Sequence, residues 1–193
     1  MSKAKILKLI GKFIQNQTEL ADEIMVIELA SQDLIPCLKL LKEDKALRFT
    51  ILTDLFGADF PERTNRFEIV YNLLSLALNM RLIVKIHTKN IAPSVASVFS
   101  AAVWYEREAF DMFGVEFENC PDMRRILTDY GFVGHPLRKD FPVTGHLQVR
   151  YDEGLEKVIY EPVMLDQEFR KFDFLSSWNG PDHPLPGDEK ATK

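Results

Sequence analysis

Cysteine is scarce. The 193 residues hold only Cys37 and Cys120. Two thiols so far apart make neither a disulfide framework nor the four-thiolate set of an iron–sulfur cluster, and they suit a reducing compartment. Histidine is also sparse. His87, His135, His146 and His183 stand apart, without the CxxC or HxxxH spacing of a zinc site. No Gly-Lys-Ser/Thr closes a P-loop, no GxGxxG occurs, and no GxSxG elbow is present. Long apolar runs are missing too. Leu73–Leu78 and Leu82–Val84 are separated by Asn79 and Arg81, well short of the ~20 residues a membrane helix needs. The opening stretch to Lys12 carries four lysines but no apolar core of a signal peptide. The expectation is a soluble or peripheral protein that works where it is made. A net charge of -5 argues against a broad nucleic-acid-binding surface.

What is present is ordinary globular material, 46% hydrophobic and 27% charged. At ~100–200 residues per domain, one domain with a real core is the prior. Composition shifts at Gly114. Seven of the ten prolines and six of the nine glycines lie beyond it.

Before Gly114, periodic segments dominate. Ile6, Leu9, Ile10 and Phe13 predict a helix over Lys3–Ile14. Glu23–Leu29 reads as a buried strand. Ser31 is placed to cap a helix from Gln32 to Glu43, with Leu34, Ile35, Leu38 and Leu41 on one face. Arg48–Thr53 reads as a strand and Gly57–Asn65 as a loop. Phe67–Leu76 and Met80–His87 read as a hairpin turning near Asn79. Pro93 is expected to open the longest helix, running to Phe113 and stopped by Gly114. Its apolar face carries Val95, Val98, Phe99, Ala102, Tyr105, Ala109 and Phe110. Trp104, Arg107, Glu108 and Asp111 form the opposite face. The fold class is therefore α+β, with a mixed or antiparallel sheet and flanking helices.

Beyond Gly114 the chain is rich in aromatics and poor in regular structure. Arg150–Leu165 reads as a ribbon turning at Asp152–Gly154, and Leu165–Phe172 as a short helix. Aromatic density disfavours disorder, and long structureless segments inside compact domains are uncommon. Such a segment needs a surface to lie on. The expected division is an α+β domain over 1–113 and an extended, aromatic-rich, partner-wrapping segment over 114–193. Across 150–193 there are six basic and ten acidic side chains, alongside Phe169, Phe172, Phe174 and Trp178. Aromatics of this kind anchor interfaces.

The carboxylates Glu106, Glu108 and Asp111 invite an acid–base reading. A salt-bridge face is the better account, because Arg107 and Asp111 are spaced i,i+4. Glu106 falls beside the apolar face, so it needs a buried partner, and Arg124 or Arg125 is the candidate. Cys37 reads as a core thiol, Cys120 as a loop cysteine, and Trp104 as a packing residue. Arg138 and Lys139, in Gly134–Asp140, read as cations for pairing within the loop or with a partner. A stand-alone soluble enzyme using Glu106, Glu108 and Asp111 is the competing reading.

Glu106-Arg107-Glu108-Ala109-Phe110-Asp111-Met112-Phe113-Gly114 resembles the E-R-E-x-x-D-hydrophobic-F-G signature of one family of NADH:quinone oxidoreductase subunits. This is the C subunit of the bacterial enzyme, and the 30 kDa subunit (subunit 9) of respiratory complex I. Pro121–Phe132, Gly134–Pro142, Arg66–Ser75, Glu161-Pro162 and Gln167–Arg170 are also similar to that family. One departure is Cys120, where the family pattern usually has His. That points to a packing or hydrogen-bonding role for the position rather than an obligatory ligand. The resemblance implies a non-redox subunit of the complex's peripheral arm, positioning the quinone-site and iron–sulfur subunits for electron transfer. It implies that this chain carries no catalytic, metal or cofactor-binding residue, while FMN, iron–sulfur clusters and quinone belong to the whole complex. The implied partners are the quinone-site subunit and cluster-bearing subunits. Nucleic acid is not implied, and the membrane is reached only through the complex. The implied location is the cytoplasmic side of a bacterial inner membrane, or the matrix side of the mitochondrial one. Glu106, Arg107, Glu108, Asp111, Arg124, Arg125, Arg138, Lys139, Phe169, Phe172, Phe174 and Trp178 are the residues expected at structural ion pairs or partner interfaces.

Overall fold

The computed structural model describes residues 3–20 and 24–167. The chain begins with α1 (Lys3–Ile10), which tightens into a 3₁₀ turn at Gly11–Phe13. β1 (Ile14–Glu19) follows at once. The helix is therefore shorter than its apolar spacing suggested, and β1 was not anticipated. The reason is burial. Past Ile14 every β1 residue is exposed, so the strand has no alternation to read and exists only because its backbone pairs with β2 (Met25–Leu29).

A 3₁₀ turn at Ser31–Asp33 leads into α2 (Leu34–Glu43), and no side-chain cap forms at the start of either, contrary to the role expected of Ser31. Leu34, Cys37, Leu38 and Leu41 are its buried face. Pro36 lies in the first turn, where its missing N–H costs no internal bond. β3 (Ile51–Asp59) starts later and runs further than expected, absorbing Gly57. A Cβ on Gly57 would stand 2.9 Å from the Phe113 ring, so the strand needs glycine for that approach. β4 (Phe67–Ser75) and β5 (Met80–Thr88) form the expected hairpin, with Asn79 at φ 48° in its turn.

The largest departure concerns Pro93. It ends β6 (Ile91–Pro93), and the helix α3 begins only at Ala102, running to Phe113. Between them Val98 and Phe99 both donate to the Val95 carbonyl in tight turns. Val95, Val98 and Phe99 are buried. Their apolar spacing continues through the turns and so imitates a helix. β7 (Glu116–Glu118) returns parallel to β6.

The main sheet has the order β1-β2-β5-β4-β3. β2 runs parallel to β5, and the other pairs are antiparallel, so the sheet is mixed. Met25, Ile27, Leu29, Leu82, Val84, Ile86, Ile69 and Leu73 share one core with Ile6, Ile10, Leu34, Leu38, Leu41, Ala102 and Ala109 from the helices. Helices of eight to twelve residues are marginal in isolation. Burial against the sheet, at roughly 1.5–3 kcal/mol per large apolar side chain, is what holds them. No helix of the described residues is long and apolar enough to cross a membrane.

Contacts divide the chain into Met1–Gly145 and His146–Lys193. Residues 114–145 thus belong with the α+β unit. In the second unit β8 (Leu147–Asp152) and β9 (Lys157–Pro162) form a ribbon as expected, but it begins three residues before Arg150, ends before Leu165 and turns between Asp152 and Lys157. Val149 pairs with Tyr160 and Tyr151 with Val158. Cross-strand partners share a face, so these four and Leu147 make an apolar face, each between 52% and 61% exposed. Only the start of the expected Leu165–Phe172 helix is described, and Phe169, Phe172, Phe174 and Trp178 lie outside the described residues.

Gly114 stops α3 in the left-handed region at φ 73°, donating to the Phe110 carbonyl. A Cβ there would stand 2.3 Å from the Arg138 guanidinium and 2.6 Å from His135. Gly114→Ala therefore combines backbone strain with a clash. It should lower unfolding stability by about 2 kcal/mol or more, read from denaturant midpoints. A change within error would show that the helix end relaxes freely.

Candidate functional site

The E-R-E-x-x-D stretch lies on α3, and three of its four charged side chains are buried. Glu106 and Asp111 are 0% exposed and Arg107 is 7% exposed, while Glu108 is exposed. The face read as a structural salt-bridge face is covered by residues that follow the helix. The i,i+4 pairing of Arg107 with Asp111 is replaced by contacts to that covering segment.

Asp111 is the densest point. Its Oδ2 accepts the N–H groups of Ile126 (3.0 Å), Leu127 (2.7 Å) and Thr128 (3.0 Å). Its Oδ1 accepts the Thr128 hydroxyl at 2.6 Å and Arg125 Nη1 at 2.9 Å. Burial alone would push this carboxyl up, but the hydrogen bonds from Thr128, Leu127 and Ile126 outweigh it and hold the group down at about 2. Arg125 also donates to the Gly134 carbonyl at 3.0 Å through both terminal nitrogens. One ion pair thereby fixes two separate turns of the covering chain.

The same chain closes the end of the helix. An α-helix leaves its last four carbonyls without internal partners. Here Phe110 O accepts from Gly114 N–H (2.8 Å) and Met112 O from Leu137 N–H (3.0 Å). Asp111 O meets His135 Nδ1 at 3.0 Å, so that nitrogen carries the proton, and Phe113 O accepts from Arg138 Nε. Arg138 also lies over the Phe67 ring at 5.3 Å. A cation at a helix C-terminus complements the macrodipole. Gly134–Asp140, read as a cation-bearing loop, is a helix cap.

Arg107 Nε donates to Arg124 O at 2.7 Å, and its Nη1 lies 3.5 Å from Asp122 Oδ2. Trp104 was read as a packing residue. It is 63% exposed and rests on the Arg107 guanidinium at 4.8 Å. Arg124, 82% exposed, forks onto Asp122. Lys139 contributes its backbone N–H, which donates to Asp59 Oδ2 at 2.8 Å. Asp59 in turn takes a two-point clasp from Arg66 (2.6 and 2.7 Å), and Arg66 reaches Asp140 at 2.9 Å. Asp59 was not singled out from the sequence, because it stood in an expected loop. An acidic residue followed at i+7 by Arg66, across a turn containing Pro61, was the available signal.

Glu106 does not pair with Arg124 or Arg125. It accepts from Ser94 Oγ and from Val95 N–H, both at 2.7 Å. With Glu108 exposed, Asp111 saturated and Glu106 enclosed, the three carboxylates do not converge on a common cavity. An acid–base mechanism through them lacks a geometry. Among the described residues no group of three His, Cys, Asp or Glu is arranged to hold a metal ion. Cys37 is enclosed by the core, and burial, then the charge of Asp33, pushes its thiol up to about 12. A depression of about 480 Å³ lies on the outer sheet face between Glu28, Arg63, Asn65, Glu68, Lys85 and His87, where Lys85 and Arg63 are paired to Glu68.

Asp111→Asn keeps the shape and removes the charge. It should cost about 3 kcal/mol at neutral pH, the scale of a broken buried ion pair. Because the folded carboxyl is held below its ordinary value, its contribution is present above the ordinary carboxyl range and fades as pH falls toward about 2. The gap between wild type and variant in acid denaturation should narrow over that window. A gap that stays constant would contradict this assignment.

Comparison with known proteins bears on all of this. The family described as respiratory-chain NADH dehydrogenase, 30 Kd subunit, matches residues 27–147. The C subunit of NADH-quinone oxidoreductase from Rickettsia felis is 63% identical over 161 residues, covering 82% of this chain and 78% of that protein. The protein of the same name from Brucella abortus is 57% identical, covering 82% and 79%. Among solved structures, a trypsin-resistant fragment (1–134) of Nqo5 superposes with a TM-score of 0.53 at 24% identity, covering 62% of this chain and 97% of the fragment. A chain of the membrane-bound sulfane sulfur reductase, an archaeal respiratory membrane complex, gives 0.61 at 26% identity, covering 72% and 82%. This chain belongs to the 30 Kd subunit family of respiratory-chain NADH dehydrogenase.

Proposed function

We propose that the chain is a non-redox structural subunit of the peripheral arm of a proton-pumping NADH:quinone oxidoreductase. The observation that carries this reading is high identity across most of the chain to proteins named as the C subunit of that enzyme. The geometry of α3 supports it. The buried charges of the signature stretch hold the chain's own covering segment and helix end, and this is work a scaffold requires.

In this reading the FMN, iron–sulfur clusters and quinone of the complex are held by other subunits. This chain sets the spacing of the quinone-site subunit and its cluster-bearing neighbours, because electron transfer and quinone access depend on fixed distances. It meets the membrane only through the complex, on the cytoplasmic side in a bacterium or the matrix side in a mitochondrion. The partner-binding part is the chain beyond Gly145. A two-stranded ribbon is marginal by itself in water. One with Leu147, Val149, Tyr151, Val158 and Tyr160 exposed on a single face gains stability by docking that face. The acidic excess along 150–193 suits a basic neighbour. Trp104, exposed over Arg107, is a further anchor on the α+β unit. The solved Nqo5 fragment is described as trypsin-resistant, which fits a unit that folds without its tail.

Purification under mild detergent, with identification of the accompanying chains, tests the assignment. Flavin- and cluster-bearing proteins should co-purify, and a self-sufficient monomer with turnover would refute it. Truncation after Gly145 tests the tail. The shortened chain should keep a cooperative thermal transition yet fail to enter the complex. An unfolded product would place the tail in the core, and normal assembly would show the tail to be dispensable.

A further inference from the structure

Glu106 differs from its neighbour one turn on. Asp111 has five donors around two oxygens. Glu106, equally buried at 0% exposure, has the Ser94 hydroxyl and the Val95 N–H, with the weakly donating Cys120 thiol beside them. Its near cations are engaged elsewhere: Arg107 on the Arg124 carbonyl and Asp122, and Arg125 on Asp111. Among the described residues no Lys, Arg or His forms an ion pair with it. A buried carboxylate without a cation and with few donors is costly, and such a group tends to neutralise instead.

The groups that meet Glu106 from other elements are neutral. From β4 comes Tyr71, wholly buried, whose hydroxyl has no hydrogen-bond partner. From the turn after β6 come Ser94 and Val95. From the loop after β7 comes Cys120, whose thiol also reaches the Asp122 carbonyl at 3.2 Å. On its own helix the charged neighbours are Arg107, Glu108 and Asp111. Arg107 and Asp111 are paired as above, and Glu108 is exposed.

We propose that Glu106 keeps its proton at neutral pH, so that α3, the Ser94–Val95 turn and the Cys120 loop close around a neutral carboxylic acid. With the proton on Oε2, the 2.7 Å bond to Ser94 reverses, the acid donating and the serine oxygen accepting. The Ser94 hydroxyl is then free to turn to the Cys120 sulfur, and the thiol donates to the Asp122 carbonyl. Oε1 still accepts from Val95 N–H. The chain of donors runs from the core to the surface loop with each member satisfied. Burial pushes the Glu106 carboxyl up, against smaller opposing contributions from Ser94, Val95 and Cys120. Tyr71 and Cys120 are likewise pushed up, by burial first.

The sign of the pH dependence follows. The folded chain holds this proton more tightly than the unfolded chain does. Its contribution is complete below the ordinary carboxyl range and is lost as pH rises through the folded value. That is opposite to Asp111, so the two carboxylates of one helix bound the stable window from opposite sides.

The test uses the full chain. Glu106→Gln imitates the protonated acid and cannot ionise. Its denaturation midpoint at neutral and higher pH should match or exceed that of wild type, with the difference shrinking as pH is lowered. A midpoint well below wild type at neutral pH would overturn the proposal. Infrared spectra of the wild-type chain give a second reading independent of whether the variant folds. A protonated-carboxyl C=O band should persist at neutral pH, where ordinary carboxyls are ionised, and its absence would equally overturn the proposal.

Discussion

The structure depends on Asp111. A single buried carboxylate collects three consecutive backbone N–H groups, a hydroxyl and the Arg125 guanidinium. Residues 126–128 have no strand or helix of their own to satisfy those amides. Without the carboxylate they would need water, and the segment would leave the face of α3. With it, an irregular stretch becomes a fixed cover, and Arg125 extends the hold to Gly134.

A second consequence follows from the first. Once residues 126–134 are seated, His135, Leu137 and Arg138 arrive at the open end of α3 and satisfy the carbonyls that the helix leaves orphaned. Arg138 then lies on Phe67, and Lys139 and Asp140 join the Asp59–Arg66 clasp at the end of the β3–β4 hairpin. Helix, loop and hairpin form one chain of charge-assisted contacts, stronger than neutral hydrogen bonds and specific in geometry. A part that must hold neighbours in register needs this kind of stiffness. The signature of the family sits here because α3 carries the joint, and no reacting group is required to explain its acidic and basic residues.

How much of this was legible beforehand varies with the kind of signal. The Phe67–Ser75 and Met80–Thr88 hairpin, the αL stop at Gly114 and the Leu147–Pro162 ribbon were readable, since each rests on local chemistry: alternation, a turn residue or a glycine. The family was readable from motifs in register. β1 was hidden because an exposed edge strand has no burial pattern. The opening turns of the helix expected from Pro93 were illusory, because buried turns at Val95–Phe99 continue the apolar spacing that α3 takes up at Ala102. The Arg107–Asp111 pair was plausible on a helical wheel, yet both side chains turn to the covering segment. Trp104, read as a packing residue, packs on Arg107 and leaves its outer surface to solvent.

The sequence by itself determined the α+β class, the secondary elements with strong local signals, the lack of ligand-bearing motifs, and membership of the family, because each is encoded in nearest-neighbour pattern. Tertiary structure alone decided the partners of the charges. Arg125 goes to Asp111, Arg66 to Asp59, and Glu106 to Ser94 and Val95. Each partner lies seven to fourteen residues away, or further still across the Asp59–Lys139 contact. Electrostatic pairing acts through space and is set by which surfaces the core brings together. A linear pattern records that such charges exist, but the fold chooses which of them meet.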